Sequence, residues 1–112
     1  MNEKRKLKLG IVIHSNEPET VWNALRLANF SLDKGEGVKI FLLGRGVEVE
    51  SLDTDKFRIT AEIRKFVETG GSVLACGTCL KSRQMEGTDL CPLSSMADLH
   101  ALAMESDKLL TF

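Results

Sequence analysis

No apolar run in this 112-residue chain approaches the ~20 residues that a membrane helix requires. The opening residues are charged where a secretory leader would carry an apolar segment, so a cytoplasmic location and no membrane partner are expected. Nor is charge of one sign in excess. Lys and Arg total 15 against 16 Asp and Glu, a formal net charge of -1, which removes any global attraction to nucleic acid. The basic run Lys4, Arg5, Lys6, Lys8 lacks aromatic interleaving and leads into a strand pattern, so it reads as a solvated strand entrance. Cysteines are few: three, two of them separated by only two residues. A small secreted domain carries a denser, even-numbered set, so free thiols in a reducing compartment are the expectation. With no internal repeat, low-complexity tract or linker, residues 1–112 read as one domain, and hydrophobic residues at 43 % suffice for a core.

What is present is an alternation of two periods. Leu7 to Ile13 is a short run rich in β-branched residues, the pattern of a strand covered on both faces. From Pro18, placed for a first helical turn, Val21, Leu25, Ala28 and Leu32 mark one helix face, stopped by Gly35 and Gly37. Val38 to Leu43 reads as a second strand, ended by the turn signal Gly44-Arg45-Gly46. Val47 to Asp55 alternates acidic and apolar residues, a short helical turn or a loop. Asp53 or Asp55 can cap a helix carrying Ile59, Ile63, Phe66 and Val67, which Gly70 and Gly71 close.

Ser72 to Ala75 forms a third strand that runs into Cys76, followed by a short helix over Gly77 to Gln84. Leu90 to Leu93 reads as a fourth strand, and Pro92 places it at an edge or a terminus. A helix from near Ser95 should bury Leu99, Leu102 and Ala103, and Lys108 to Phe112 a fifth strand. Strands alternating with helices imply right-handed crossovers. The expected fold is α/β, a three-layer α/β/α sandwich around a five-stranded, mainly parallel sheet.

Reactive groups in such a sheet gather at the carboxyl ends of the strands. Three segments share that edge: His14-Ser15-Asn16, Gly44-Arg45-Gly46 and Cys76-Gly77-Thr78-Cys79. Cys76 should face the free N–H groups that open the next helix, which favour thiolate, with Lys81 and Arg83 as nearby cations. Cys79 lies one helical turn further on the same face, so the two sulfurs can meet. A pair so spaced closes a disulfide, passes a persulfide, or supplies two ligands to a soft metal. A closed zinc site needs four ligands, and Cys91, His14 and His100 are the only other candidates. No metal and no cofactor are therefore expected. Cys91, inside an apolar strand, reads as core filler, and His100 as a helix-surface residue. Gly44-Arg45-Gly46 is too short for a phosphate loop and reads as a turn.

Val73-Leu74-Ala75-Cys76-Gly77-Thr78-Cys79-Leu80-Lys81-Ser82-Arg83, the first strand with its helix, and the ending Ser106-Asp107-Lys108-Leu109-Leu110-Thr111-Phe112 together resemble the DsrE/DsrF-like family, and within it the YchN-like branch. The resemblance implies a five-stranded sheet, homotrimers or homohexamers, and a cysteine after the third strand that maps to Cys76. In characterised relatives that cysteine carries a persulfide between partner proteins, and the second cysteine, at Cys79, belongs to the YchN-like branch alone. Relatives usually place glycine after the motif arginine, where this chain has Gln84. A persulfide carrier with sulfur-donor and sulfur-acceptor proteins as partners is the leading functional expectation. Its site comprises Cys76 and Cys79 as the reactive pair, with Arg83, Thr78, Gly77, His14 and Asn16 around them. A dithiol/disulfide redox protein and a non-catalytic assembly module are the alternatives.

Overall fold

In the computed structural model, which describes residues 6–112, the strand patterns become β1 (Lys8–Ile13), β2 (Gly37–Leu42), β3 (Ser72–Cys76), β4 (Leu93–Ser94) and β5 (Lys108–Thr111). Lys4 and Arg5 of the basic run lie outside the described residues. The helices are α1 (Pro18–Asp33), α2 (Ile59–Glu68), α3 (Gly77–Lys81) and α4 (Met96–Glu105), with a 3-10 helix over Gly44–Ser51. The strands form one parallel sheet in the order β4-β3-β2-β1-β5.

Local chemistry sets the helix starts. Glu17 caps α1 with its own carboxylate, accepting the N–H groups of Thr20 at 2.8 Å and Glu19 at 3.1 Å, while Pro18 occupies a position whose N–H would have had no partner. Asp53 serves α2 from outside the helix by accepting the Thr60 N–H at 2.8 Å. The N-cap position itself belongs to Arg58, which makes no side-chain cap bond.

Strand order then decides which face each helix covers. From β1 to β4 the chain steps in one direction across the sheet, so right-handed crossovers put the connecting helices on one face. Returning from β4 to β5 reverses that direction and sends α4 to the opposite face alone. On the first face the register aligns Ile11, Ile40 and Val73 in one row and Ile13, Leu42 and Ala75 in the next. These rows are buried, as are Val21, Ala24, Leu25 and Ala28 of α1 and Ile59, Ile63 and Phe66 of α2. On the second face α4 buries Leu102 alone and leaves Met96 63 % and Met104 69 % exposed. The three expected layers are present, but one outer layer is a single helix.

Four expectations need correction. The fourth strand is not Leu90–Leu93 but the shorter Leu93–Ser94, because Pro92, which has no N–H, precedes the pairing and contributes only its carbonyl, to the Ala75 N–H at 2.9 Å. The third helix stops at Lys81 rather than Gln84. Leu99 and Ala103 are half-buried rather than buried, since no neighbouring helix packs beside α4. Gly44-Arg45-Gly46 is more than a turn: it opens the 3-10 helix. No helix among the described residues is long and apolar enough to cross a membrane.

The 3-10 helix folds back over the end of β1. The Ile13 carbonyl accepts the Leu43 N–H at 2.9 Å, and the Gly46 backbone lies so close that a Cβ there would be driven into that same carbonyl oxygen. A flexible side chain could yield, but a strand backbone cannot. Gly46→Ala is therefore expected to destabilise the fold by about 1–3 kcal/mol, the range of an overpacked interior, read from urea unfolding. An unchanged midpoint would mean that the segment is free to move away from β1.

Candidate functional site

Parallel strands all point one way, so the ends of β1, β2 and β3 deliver Asn16, Gly44 and Cys76 to the same rim. Cys76 is the N-cap of α3, its Sγ accepting the Cys79 N–H at 3.4 Å. Cys79 is half-buried, and its Sγ accepts the Gly44 N–H at 3.1 Å. Gly44 presents that N–H from a backbone with φ +56°, a conformation glycine adopts without steric cost. The Cys79 thiol is close enough to act on that of Cys76. The expected meeting of the sulfurs thus occurs, with a third element, the start of the 3-10 helix, clamped onto the outer one.

The expectation of an ionised, accessible Cys76 is corrected. Its side chain is only 4 % exposed, and burial pushes its thiol above the ordinary range, with the Cys79 thiol adding to the rise and backbone N–H groups opposing it. Five residues of α3 make a weak dipole, and loss of water outweighs it. Arg83 does not offset this. Its Nε donates to Glu48 Oε2 at 2.8 Å and its Nη1 to the Cys79 carbonyl oxygen at 3.1 Å, so the guanidinium serves a carboxylate and a backbone oxygen instead of a sulfur. Lys81 is exposed.

Glu48 is the residue that the sequence reading did not single out. Asn16 Nδ2 donates to its Oε1 at 3.1 Å, so one carboxylate ties the loop after β1 to the residue beyond α3. The Arg83 hydrogen bond, then that of Asn16, hold its carboxyl below the usual range. Arg83 and Glu48 both remain partly open to water, and a solvent-screened pair of this kind contributes little stability. Its effect is to fix where Arg83 sits. The signal was in the alternation of Val47-Glu48-Val49-Glu50: the valines are buried, which turns the glutamates outward.

The remaining candidates separate clearly. His14 is exposed; its backbone N–H bonds to the Phe112 carbonyl at 2.8 Å, and among the described residues no hydrogen bond joins its imidazole to the cysteines. The Thr78 side chain is exposed, and Gly77 is buried where α3 passes the Ser94 carbonyl. His100 is exposed, as expected of a helix-surface residue. Cys91 is buried, its thiol pushed up first by burial and then by the charge of Glu50, which fits core filler. Gln84 takes φ 57°, so the left-handed turn natural to glycine is kept despite the missing glycine, at a cost of about 1–2 kcal/mol for a side-chain-bearing residue.

The model of the DsrE/DsrF-like family matches residues 8–112. Two uncharacterised proteins, one from Methanocaldococcus jannaschii and one from Methanopyrus kandleri, are each 35 % identical over 100 residues, covering 84 % of this chain and 88 % and 83 % of the relatives. Among solved structures, the ychN protein of E. coli superposes with a TM-score of 0.83 at 19 % identity, covering 96 % of this chain and 100 % of that one. A Bacteroides thetaiotaomicron protein of unknown function gives 0.74 at 21 %, covering 94 % of each. At these identities the superpositions establish the fold.

Burial sets the half-buried Cys79 apart from Cys76 and Cys91, each 4 % exposed, and the charge of Glu50 further disfavours the Cys91 thiolate. Alkylation of the folded protein with iodoacetamide, followed by peptide mass mapping, is expected to modify Cys79 first, Cys76 more slowly and Cys91 last. Equal rates at Cys91 and Cys79 would contradict the burial on which the ranking rests.

Proposed function

The chain belongs to the DsrE/DsrF-like family, and from that premise we propose that it carries sulfane sulfur between partner proteins on the Cys76–Cys79 pair. The observation that carries this reading is the contact of two free thiols at the strand rim, the outer one receiving the Gly44 N–H. The family resemblance points to Cys76 as the carrier. Its burial favours Cys79 as the sulfur that a donor reaches first, with Cys76 as the inner partner.

The chemistry balances without an added oxidant. The Cys79 thiolate attacks the terminal sulfur of a donor persulfide, R–S–SH. The donor S–S bond breaks as a new one forms, leaving R–S⁻ and Cys79–S–SH. An acceptor thiolate repeats the exchange and regenerates Cys79–S⁻. Should Cys76 attack the inner sulfur instead, a Cys76–Cys79 disulfide forms and hydrogen sulfide leaves, so Cys76 offers release where no acceptor is bound. Backbone N–H donors at each sulfur support the anions formed along the way. Three unpaired thiols suit the reducing cytoplasm, and donor and acceptor proteins are the partners implied.

The same contact supports dithiol/disulfide cycling as a second reading, in which a partner disulfide is reduced to two thiols as Cys76 and Cys79 are oxidised. One experiment separates the two. After incubation with glutathione persulfide, intact mass is expected to show one added sulfur on Cys76→Ser, one added sulfur or the discharged disulfide on the wild type, and neither on Cys79→Ser/Cys76→Ser. With Cys76 gone and Cys91 buried, Cys79 has no partner with which to cycle, so gain on Cys76→Ser favours relay. No gain on Cys76→Ser, or an undiminished gain on the double variant, would defeat it.

Assembly forms part of the same proposal. Leu93, Met96 and Met104 lie exposed on β4 and α4, where only one helix covers the sheet, and a trimer or hexamer would bury them. Sedimentation at micromolar concentration is expected to give such an assembly, weakened in Met96→Glu/Met104→Glu. A stable monomer for the wild type would count against it.

A further inference from the structure

We propose that Glu48 is a positioning residue that parks Arg83 away from the sulfur pair, and that a partner presenting a basic side chain to Glu48 releases Arg83 onto the Cys79 sulfur. Its use in transfer rests on the sulfur-carrier reading above, whereas the device itself is a matter of thiol reactivity.

The geometry is that of a held cation. Arg83 follows Cys79 by one helical turn, and its Nη1 already bonds to the Cys79 carbonyl, on the same residue as the sulfur. Released from Glu48, the guanidinium would be free to turn while remaining beside the residue that carries the sulfur. What prevents it is the Nε bond to Glu48 Oε2, and Glu48 is itself held from the other side by Asn16. A guanidinium has five N–H donors in a rigid fork. Fixing its Nε therefore fixes the orientation of the whole group.

Other charges do not replace it. Arg45 acts on Glu48 from the 3-10 helix. Glu50 is turned to Thr88, whose hydroxyl donates to its Oε1 at 2.6 Å, and to Cys91. Lys81 stands exposed on α3. With Arg83 engaged, the Cys79 sulfur has a backbone N–H but, among the described residues, no paired cation, and burial disfavours the charged form of the inner thiol. A cation moved beside a thiol favours its thiolate and equally a persulfide anion.

Both members of the pair are partly open to water, so a lysine or arginine of another protein can reach Glu48 and compete for it. The chemistry selects a partner with a basic rim around its own reactive sulfur. Docking then activates the thiol in the act of bringing the two sulfurs together, and the undocked protein stays quiet towards other electrophiles.

The test is the rate of Cys79 alkylation in the full-length protein, resolved by peptide mass, over about pH 6 to about pH 10. Glu48→Gln keeps the shape and a hydrogen bond to Asn16 but loses the charge that holds Arg83. It is expected to react about threefold to tenfold faster at neutral pH, with the rate profile displaced to lower pH. Glu48→Gln/Arg83→Gln should lose the acceleration. No acceleration in Glu48→Gln, or acceleration that persists in the double variant, would overturn the proposal, the latter because loss of a nearby carboxylate would then suffice.

A second measurement does not depend on the folding of Glu48→Gln. A short oligolysine peptide at low salt should accelerate Cys79 alkylation in the wild type and not in Arg83→Gln. Equal response in both, or none in the wild type, would also overturn it. Because neither assay involves sulfane sulfur, a failed persulfide loading beside a positive result here would leave the device standing without the relay.

Discussion

The hand of the strand-to-strand crossover governs this molecule. Stepping from β1 to β4 with right-handed connections commits α1 and α2 to one face of the sheet, and the return to β5 commits α4 to the other. From that constraint follow a well-filled face with two rows of apolar side chains and a second face guarded by one helix. The same parallel arrangement points the ends of β1, β2 and β3 at a common rim. Asn16, Gly44 and Cys76 are neighbours for topological reasons, before any side-chain preference acts.

At that rim, two opposing influences set the character of the sulfur pair. Backbone N–H groups of α3 and of Gly44 draw towards the charged form, and removal of water from Cys76 draws towards the neutral one. Burial prevails at Cys76 because α3 is a single turn. Cys79, one turn outward, has a hydrogen-bond donor without the same enclosure. A division of labour between an inner and an outer sulfur follows from depth alone.

Much of this was legible from residue patterns. β1, β2 and α1 announce themselves through β-branched runs and a clean helical period, and Cys76 through its place at a strand end. What the pattern could not carry was depth and pairing. Cys76 was expected to be exposed because spacing locates a residue along the chain without saying what packs above it. Arg83 was expected on the sulfurs because its proximity in sequence concealed a competing carboxylate thirty-five residues earlier, at Glu48. The fourth strand was misplaced because apolar character extends through Leu90 and Cys91, whereas pairing begins only once Pro92 is passed.

The pairing of β1 with β5 sets Leu9 beside Lys108, nearly a whole chain apart. During synthesis β1 leaves the ribosome early, while its outer partner is translated long after β2 and β3 are available on the other side. One flank of β1 thus stays unsatisfied until β5 is made, an open template for any extended segment nearby. Proteins that shelter nascent chains have most to do here at this flank, and a premature stop before Lys108 would leave β1 as a permanent sheet edge.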